Sequence, residues 1–376
     1  MKGHIRKRGN KYAIVVDIGY DEKGKRKQKW FSGYNTKKEA EKDLARILHE
    51  INEGTFVEPS KEKFKTFLEN WLEIKKNNVR PSTYKNYNNY IHVHIIPNLG
   101  NLELAKITPM HLEKFYAKCA GKLAPTNIHK MHKFISSVFN YAVRHGYISK
   151  NPCHLVQAPK KGPSKIRTWN EEQVQTFLEH TKKSRFYIAF LLAITTGMRR
   201  GEILGLRWSD IDFEKKTISI NQVLSNDGKM FQEPKTESSK RLISLPDITV
   251  RELKRHRKRI LHEKFKAGGC YLDLDLVVCT SLGNKVHPGS LQRMWWDYVK
   301  SSGLPRIRFH DLRHTHATLM LKQGVHPKIV SERLGHSSVT ITLDTYSHVL
   351  PGLQELAAQH FEEMVFGKKE KQNKIL

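Results

Sequence analysis

Apolar and polar positions change period along this chain, and the changes divide it. Residues 12–20, YAIVVDIGY, alternate in the manner of a strand; DEKGKRKQ supplies a turn at Gly24, and KWFSGY makes a second strand. From Thr36, an N-cap residue type, the period becomes helical. Ala40, Leu44, Ile47, Leu48 and Ile51 fall on one face, and Gly54 ends the run. Pro59 to Lys63 reads as a linker. Residues 64–155 then read as helix throughout: FKTFLENWLEIKKN, a segment RPSTYKNYNNYIHVHIIPNLG with Ser82 as N-cap, and two helices opened by Thr108-Pro109 and Pro125-Thr126. Their apolar spacing predicts a bundle of about four helices.

A proline-rich basic stretch from Asn151 to Arg167 separates this bundle from the remainder. WNEEQVQTFLEHT is an amphipathic helix, and RFYIAFLLAITTG is apolar enough to be buried on most sides. TISINQVL and KRLISLP read as two strands around a QEPKTESSK loop, which predicts a small antiparallel sheet. ITVRELKRHRKRILHEKFKAG is a long basic helix, LDLVVCTS a short buried strand, and HPGSLQRMWWDYVKSSG a further helix. The tail GKKEKQNKIL is too polar to bury itself. The class is α+β multidomain: a small N-terminal sheet plus helix, an all-α bundle, and a mainly α C-terminal domain with a small antiparallel sheet.

Charge adds a partner to this outline. The 376 residues carry 66 Lys+Arg against 37 Asp+Glu, a formal net charge of +29. Residues 1–61 hold 15 basic and 9 acidic side chains, 62–160 hold 15 and 5, and 161–376 hold 36 and 23. An excess present in every part suits a polyanion touched by every part, and nucleic acid is the usual one. Lys7, Arg8, Lys11, Arg26 and Lys27 crowd the N-terminal hairpin; Lys85, Lys130 and Lys133 lie on polar faces of the bundle with Tyr84, Tyr87 and Tyr90 between them. The bland readings are a solubilising edge sheet and tyrosines half-buried in the core. Cys119, Cys153, Cys270 and Cys279 show no metal or disulfide spacing and read as reduced. No apolar run reaches the ~18 residues of a membrane span, and the N-terminus lacks a signal-peptide core, so a cytosolic protein is expected, or a nuclear one in a cell that has a nucleus.

The candidate chemistry is concentrated at the C-terminal end. His310 and Arg313 are three apart, which places them side by side on a helix. His336 follows in LGH, and Tyr346 ten residues later. Planar Arg, His donors and a phenol suit a phosphate and a nucleophile acting on it. Upstream, Arg199 has Glu202 three residues on to hold it, and Lys235 sits at the tip of the strand loop. Each has a dull alternative: Arg199 a structural partner of Glu202, Lys235 a solvated lysine, His310 a core histidine. His314 and His316 flank the motif, but HEXXH and carboxylate ligands at metal spacing are absent, so no metal is assigned.

The ordered set TGMRRGEILGLRWSDID, KTESSKRLISLP, HDLRHTHATLML and LGHSSVTITLDTYSHV resembles the tyrosine recombinases, the integrases of phages and integrative conjugative elements. The resemblance implies an arm-type DNA-binding domain at 1–58, a helical core-binding domain at 62–155, a catalytic domain at 165–366 and a disordered tail at 367–376. It implies that Arg199 and Arg313 clamp the scissile phosphate, that Lys235 is the strand-loop lysine, that His310 and His336 complete the cationic or proton-transferring set, and that Tyr346 is the nucleophile, with Glu202 in support. Attack by Tyr346 would leave a 3′-phosphotyrosine and a free 5′-hydroxyl, without metal, ATP or any cofactor. Implied partners are double-stranded DNA at core crossover and arm sites, a homotetramer on it, an accessory excision factor and a DNA-bending host protein, in the cytoplasm of a bacterial host. A type IB-like topoisomerase and a noncatalytic DNA-binding regulator of the same fold stand as alternatives.

Overall fold

The computed structural model describes residues 3–20, 25–53, 56, 61–160, 166–234, 237–346 and 353–366. The chain divides into two compact units, residues 1–164 and 165–376.

In the first unit, β1 (Gly3–Arg8), β2 (Lys11–Tyr20) and β3 (Arg26–Tyr34) form an antiparallel sheet in that order, and α1 (Lys37–Asn52) packs on one face. Thr36 caps α1, its hydroxyl accepting from Glu39 N–H at 3.2 Å. Ile14 and Val16 meet Ala40 and Ile47 in this small core. Gly24 and Gly54, read as the turn and the helix stop, lie outside the described residues.

A separate core unites α2 (Phe64–Lys76), α3 (Pro81–Asn89), α4 (Ile96–Leu99), α5 (Pro109–Ala120) and α6 (Pro125–Arg144). The start of α3 differs from the expectation of an N-cap at Ser82. Arg80 is the cap, in an extended conformation, and Pro81 takes the first helical position, where its fixed φ and missing N–H are no handicap. Between α3 and α4 the helix widens into a π-turn over Tyr90–Ile95, with Ile96 N–H donating to the carbonyl of Ile91, five residues back. Pro97 follows at once and has no N–H to continue the ordinary ladder, which accounts for the irregularity. Tyr84, Tyr87 and Tyr90 are partly buried against this core, Tyr87 lying tilted between Trp71 and Phe134 at 5.6 and 4.8 Å. Lys85, Lys130 and Lys133 are exposed.

The second unit contains α7 (Glu171–Thr181), α8 (Tyr187–Thr196) and α9 (Arg200–Gly205), then short strands, then α10 (Asp247–Ala267), α11 (Pro288–Ser301), α12 (Asp311–Lys322), α13 (Pro327–Leu334), α14 (Val339–Tyr346) and α15 (Leu353–Phe366). Eight consecutive residues of α8, from Ile188, include only one that is not buried, in keeping with its uninterrupted apolar sequence. The expected single strand TISINQVL is split. β4 (Ile211–Asp212), β5 (Thr217–Ser219) and β8 (Leu242–Ser244) make one sheet, whereas β6 (Val223–Leu224) pairs with β7 (Phe231–Gln232) in another. Asn221 donates to Asp210 and Gln222 to the carbonyl of Gly205, and these side-chain bonds turn the backbone away from the first sheet. LDLVVCTS is buried as expected at Leu276–Cys279 but forms only isolated bridges.

Two left-handed glycines bring the helices of this unit together. Gly197 ends α8 at φ +67°, where a Cβ would lie 2.5 Å from Leu334 and 2.8 Å from His316. Gly335 ends α13 at φ +67°, where a Cβ would lie 2.8 Å from the Ser238 carbonyl. Only glycine permits both the turn and the approach. No helix among the described residues is long and apolar enough to cross a membrane.

Candidate active site

The close approach at Gly197 places the end of α8 against the buried face of α12. Arg313, only 3% exposed, donates through Nη1 to the Gly197 carbonyl at 2.9 Å. Its Nη2 is closed to solvent and bonds to nothing among the described residues. Burial, then the charge of Arg199, pushes the guanidinium down to about 9, still cationic at neutral pH. A buried cationic donor left without an acceptor is a substantial penalty that an anion in the site would remove.

Arg199 lies at the start of α9, bonded to Glu202 at 2.8 Å and to the Gly335 carbonyl at 3.0 Å. The pairing with Glu202 is as expected, but Glu202 has a second partner. Arg241, in the strand segment KRLISLP, reaches the same carboxylate at 2.9 Å and also donates to the Arg333 carbonyl. Burial opposes the Glu202 charge, but Arg241 and Arg199 outweigh it and hold the carboxyl below its usual range. Arg333 in turn donates to His316 and to the Thr195 carbonyl. One carboxylate thus serves two arginines, beside Arg313 and Arg333, which leaves an excess of positive charge.

His336 bonds to Thr342 at 2.8 Å, and burial, then Arg313 and Arg199, pushes it down to about 4. His310 precedes α12, edge-on to His314 at 5.2 Å; desolvation, then His314 and Arg313, lowers its pKa. Both shifts favour the neutral imidazole at pH 7. Lys235 lies outside the described residues.

Tyr346, the last residue of α14, is 1% exposed and packs with Ala317, Leu321, Val330 and Leu334 of its own chain. Its hydroxyl is 2.8 Å from Nδ1 of His314, in a hydrogen bond. Burial raises the phenol to about 12, with Arg313 pulling the other way. The sequence reading set His314 aside and did not anticipate this contact. The signal was the spacing of four from His310, which puts both rings on one helix face. His316 is a buried structural residue, bonded to the Ile194 carbonyl and Arg333. Arg241 and Arg333 were also missed, because nothing local distinguishes a buried arginine from the many exposed ones.

Sequence patterns of known families match three parts of the chain: an arm DNA-binding domain at 4–51, the N-terminal SAM-like domain of phage integrases at 63–120, and the phage integrase family at 167–352. A tyrosine recombinase XerC-like protein of Caldanaerobacter subterraneus is 34% identical over 377 residues, covering 94% of this chain and 96% of that protein. The chain belongs to the phage integrase family of tyrosine recombinases. It is a tyrosine-type site-specific DNA recombinase. The ICEBs1 integrase of Bacillus subtilis is 26% identical over 359 residues, covering 94% of this recombinase and 97% of that protein. Solved structures share the fold: the Tn1549 transposon integrase in complex with transposon right end DNA (TM-score 0.69, 20% identity, 79% of this chain and 100% of that one), and a lambda integrase tetramer bound to a Holliday junction (TM-score 0.58, 20% identity, 89% and 96%).

In the recombinase's N-terminal sheet, strand alternation sorts the basic residues. Arg6 and Arg8 share the face opposite α1, 5.3 and 5.8 Å from the ring of Trp30, which is 41% exposed. Lys7 alternates to the side of Ile5, which packs toward α1, and Lys11 pairs with Arg8 at the hairpin end. Lys27 is exposed, and the Arg26 side chain lies outside what is described. Arg6 and Trp30, absent from the sequence-level set, complete a cationic and aromatic face.

Proposed function

We propose that this recombinase cuts and rejoins DNA at the ends of a mobile element, with Tyr346 as nucleophile and Arg199, Arg313 and His336 as the clamp on the scissile phosphate. The unpartnered Arg313 Nη2, buried beside Arg199 and His336, supports this most strongly. Two guanidiniums fit the nonbridging oxygens and oppose the negative charge that grows on them during in-line attack.

The Tyr346 oxygen bonds to phosphorus as the bond from phosphorus to the 5′ oxygen breaks. The phenolic proton passes to a neutral imidazole, His310 in this reading, and the departing oxygen takes a proton from Lys235. A free phenol near pKa 10 is about one part in a thousand ionised at pH 7, a deficit of about 4 kcal/mol. Bringing Tyr346 off His314 and toward a cation-held phosphate reverses the burial that raises its pKa. The 3′-phosphotyrosine keeps the bond energy until a 5′-hydroxyl attacks in return.

Three DNA contacts are proposed: the Arg6, Arg8 and Trp30 face for arm sites, the exposed Lys85, Lys130 and Lys133 for the core duplex, and the cationic cleft for the crossover. Four protomers on two duplexes would carry out exchange. In α15 the side chains of Phe361, Met364 and Val365 are exposed, which supports packing on a neighbouring protomer. An excision factor and a host DNA-bending protein would set direction, a proposal resting on the family resemblance alone.

A duplex carrying the mapped element junction, nicked near the crossover so that the cleaved strand diffuses away, tests the mechanism. Wild type should accumulate a covalent protein–DNA adduct and Tyr346→Phe none. An undiminished adduct with Tyr346→Phe removes the assignment.

A further inference from the structure

Beside the phosphate clamp lies a cleft of about 510 Å³, lined by Arg199, Arg200, Gln292, Trp296, Arg308 and His310 among others. Its size falls in the ~300–1,000 Å³ range of built ligand sites and exceeds what one phosphate group needs. Its first two residues, Arg199 and Arg200, are consecutive. One wall is Trp296, with the guanidinium of Arg306 4.5 Å from its ring centroid.

Arg200 is the unusual member. The other two arginines lining the cleft have carboxylates: Arg199 holds Glu202 at 2.8 Å and Arg308 holds Asp311 at 2.7 Å. Arg200 is half-buried, and its one side-chain hydrogen bond among the described residues is a long 3.3 Å contact to the amide oxygen of Gln292. Burial lowers its pKa with no acidic group opposing it. A partly desolvated cation without a carboxylate beside it is unfavourable, and an anion that enters the cleft offsets the penalty. The planar guanidinium favours a phosphate that accepts two hydrogen bonds at once.

The geometry points to a second DNA subsite in this cleft: Arg200 binds the phosphodiester next to the one under attack, with the attached sugar against Trp296. The inference rests on the proposed clamp, because it places one strand of DNA across two adjacent arginines. Its consequence is registration. Holding the neighbouring phosphate fixes which phosphate lies before Tyr346, so Arg200 is a positioning residue acting through the strand.

The test uses the nicked junction duplex with single neutral methylphosphonates at the two positions on each side of the crossover phosphate, and reads the single-turnover rate of adduct formation. One flanking position should slow wild type roughly 10- to 100-fold. Arg200→Gln should slow the unmodified duplex similarly and lose little more when that methylphosphonate is present, while effects at the other positions multiply. Arg200→Lys should recover part of the rate. Multiplying losses at every position, or wild-type rates for Arg200→Gln, overturn the subsite. Should Arg200→Gln not fold, the wild-type scan decides alone, and insensitivity at all four positions overturns it. No adduct on the unmodified duplex sinks the mechanism itself, a different result.

Discussion

Tyr346 is buried and bonded to His314, and its burial raises the phenol so that it is neutral at pH 7. A phenol held this way is shielded from solvent, and the proposed attack requires it to leave the imidazole. Removing the imbalance one side at a time should expose the coupling. His314→Ala leaves a buried hydroxyl without a partner and should lower stability by about 1–3 kcal/mol. Tyr346→Phe alone should cost less, and the double variant should be non-additive by at least about 0.5 kcal/mol in thermal or denaturant unfolding. Strict additivity would mean that the contact carries no energy. At this scale the sequence supplied residue types but not partners. HDLRHTHATLML contains His310, Arg313 and His314 within one turn of spacing, yet which imidazole meets Tyr346 depends on how α14 docks, and no local pattern encodes that.

Among elements, the site is an assembly of helix ends. The turn at Gly197 gives Arg313 its acceptor, and the turn at Gly335 gives Arg199 its own. Arg241 links the strand β8 region to both Glu202 and the end of α13. Arg241→Ala strips one partner from a buried carboxylate and should destabilise the protein by about 3–5 kcal/mol. It should also slow adduct formation at temperatures where the variant remains folded; unchanged stability would show that Arg199 satisfies Glu202 unaided. The helices were legible because their apolar faces repeat over several turns and their caps are local, as at Thr36 and Thr108. The strands of the second unit were less so. They are two or three residues long, and TISINQVL breaks where Asn221 and Gln222 find distant acceptors, a tertiary event invisible to alternation.

For the whole molecule, charge and titration set the working conditions. With positive excess in every third of the chain, DNA affinity should fall steeply with salt, each neutralised phosphate adding about 0.9 to the log–log slope. Arg8→Ala, on the Trp30 face, should weaken arm-site binding and leave crossover cleavage nearly unchanged; equal losses at both would refute the division of labour. Acid should destabilise the second unit. Buried His316 and half-buried His256 are pushed down to about 3 and about 4, so the unfolded chain binds protons more readily than the folded one below pH 6.5. Stability from their neutral state is therefore complete above pH 6.5 and lost as pH falls, on the order of 2 kcal/mol per residue by pH 5. His316→Gln should flatten that fall in unfolding experiments between pH 7.5 and 5, and an unaltered slope would assign the acid sensitivity elsewhere. The most direct test of the central claim is to digest the trapped protein–DNA adduct with protease and nuclease and locate the modified residue by mass spectrometry. The account predicts a nucleotide joined through its 3′ phosphate to Tyr346. A phosphate on any other residue, or a linkage through a 5′ phosphate, would contradict it.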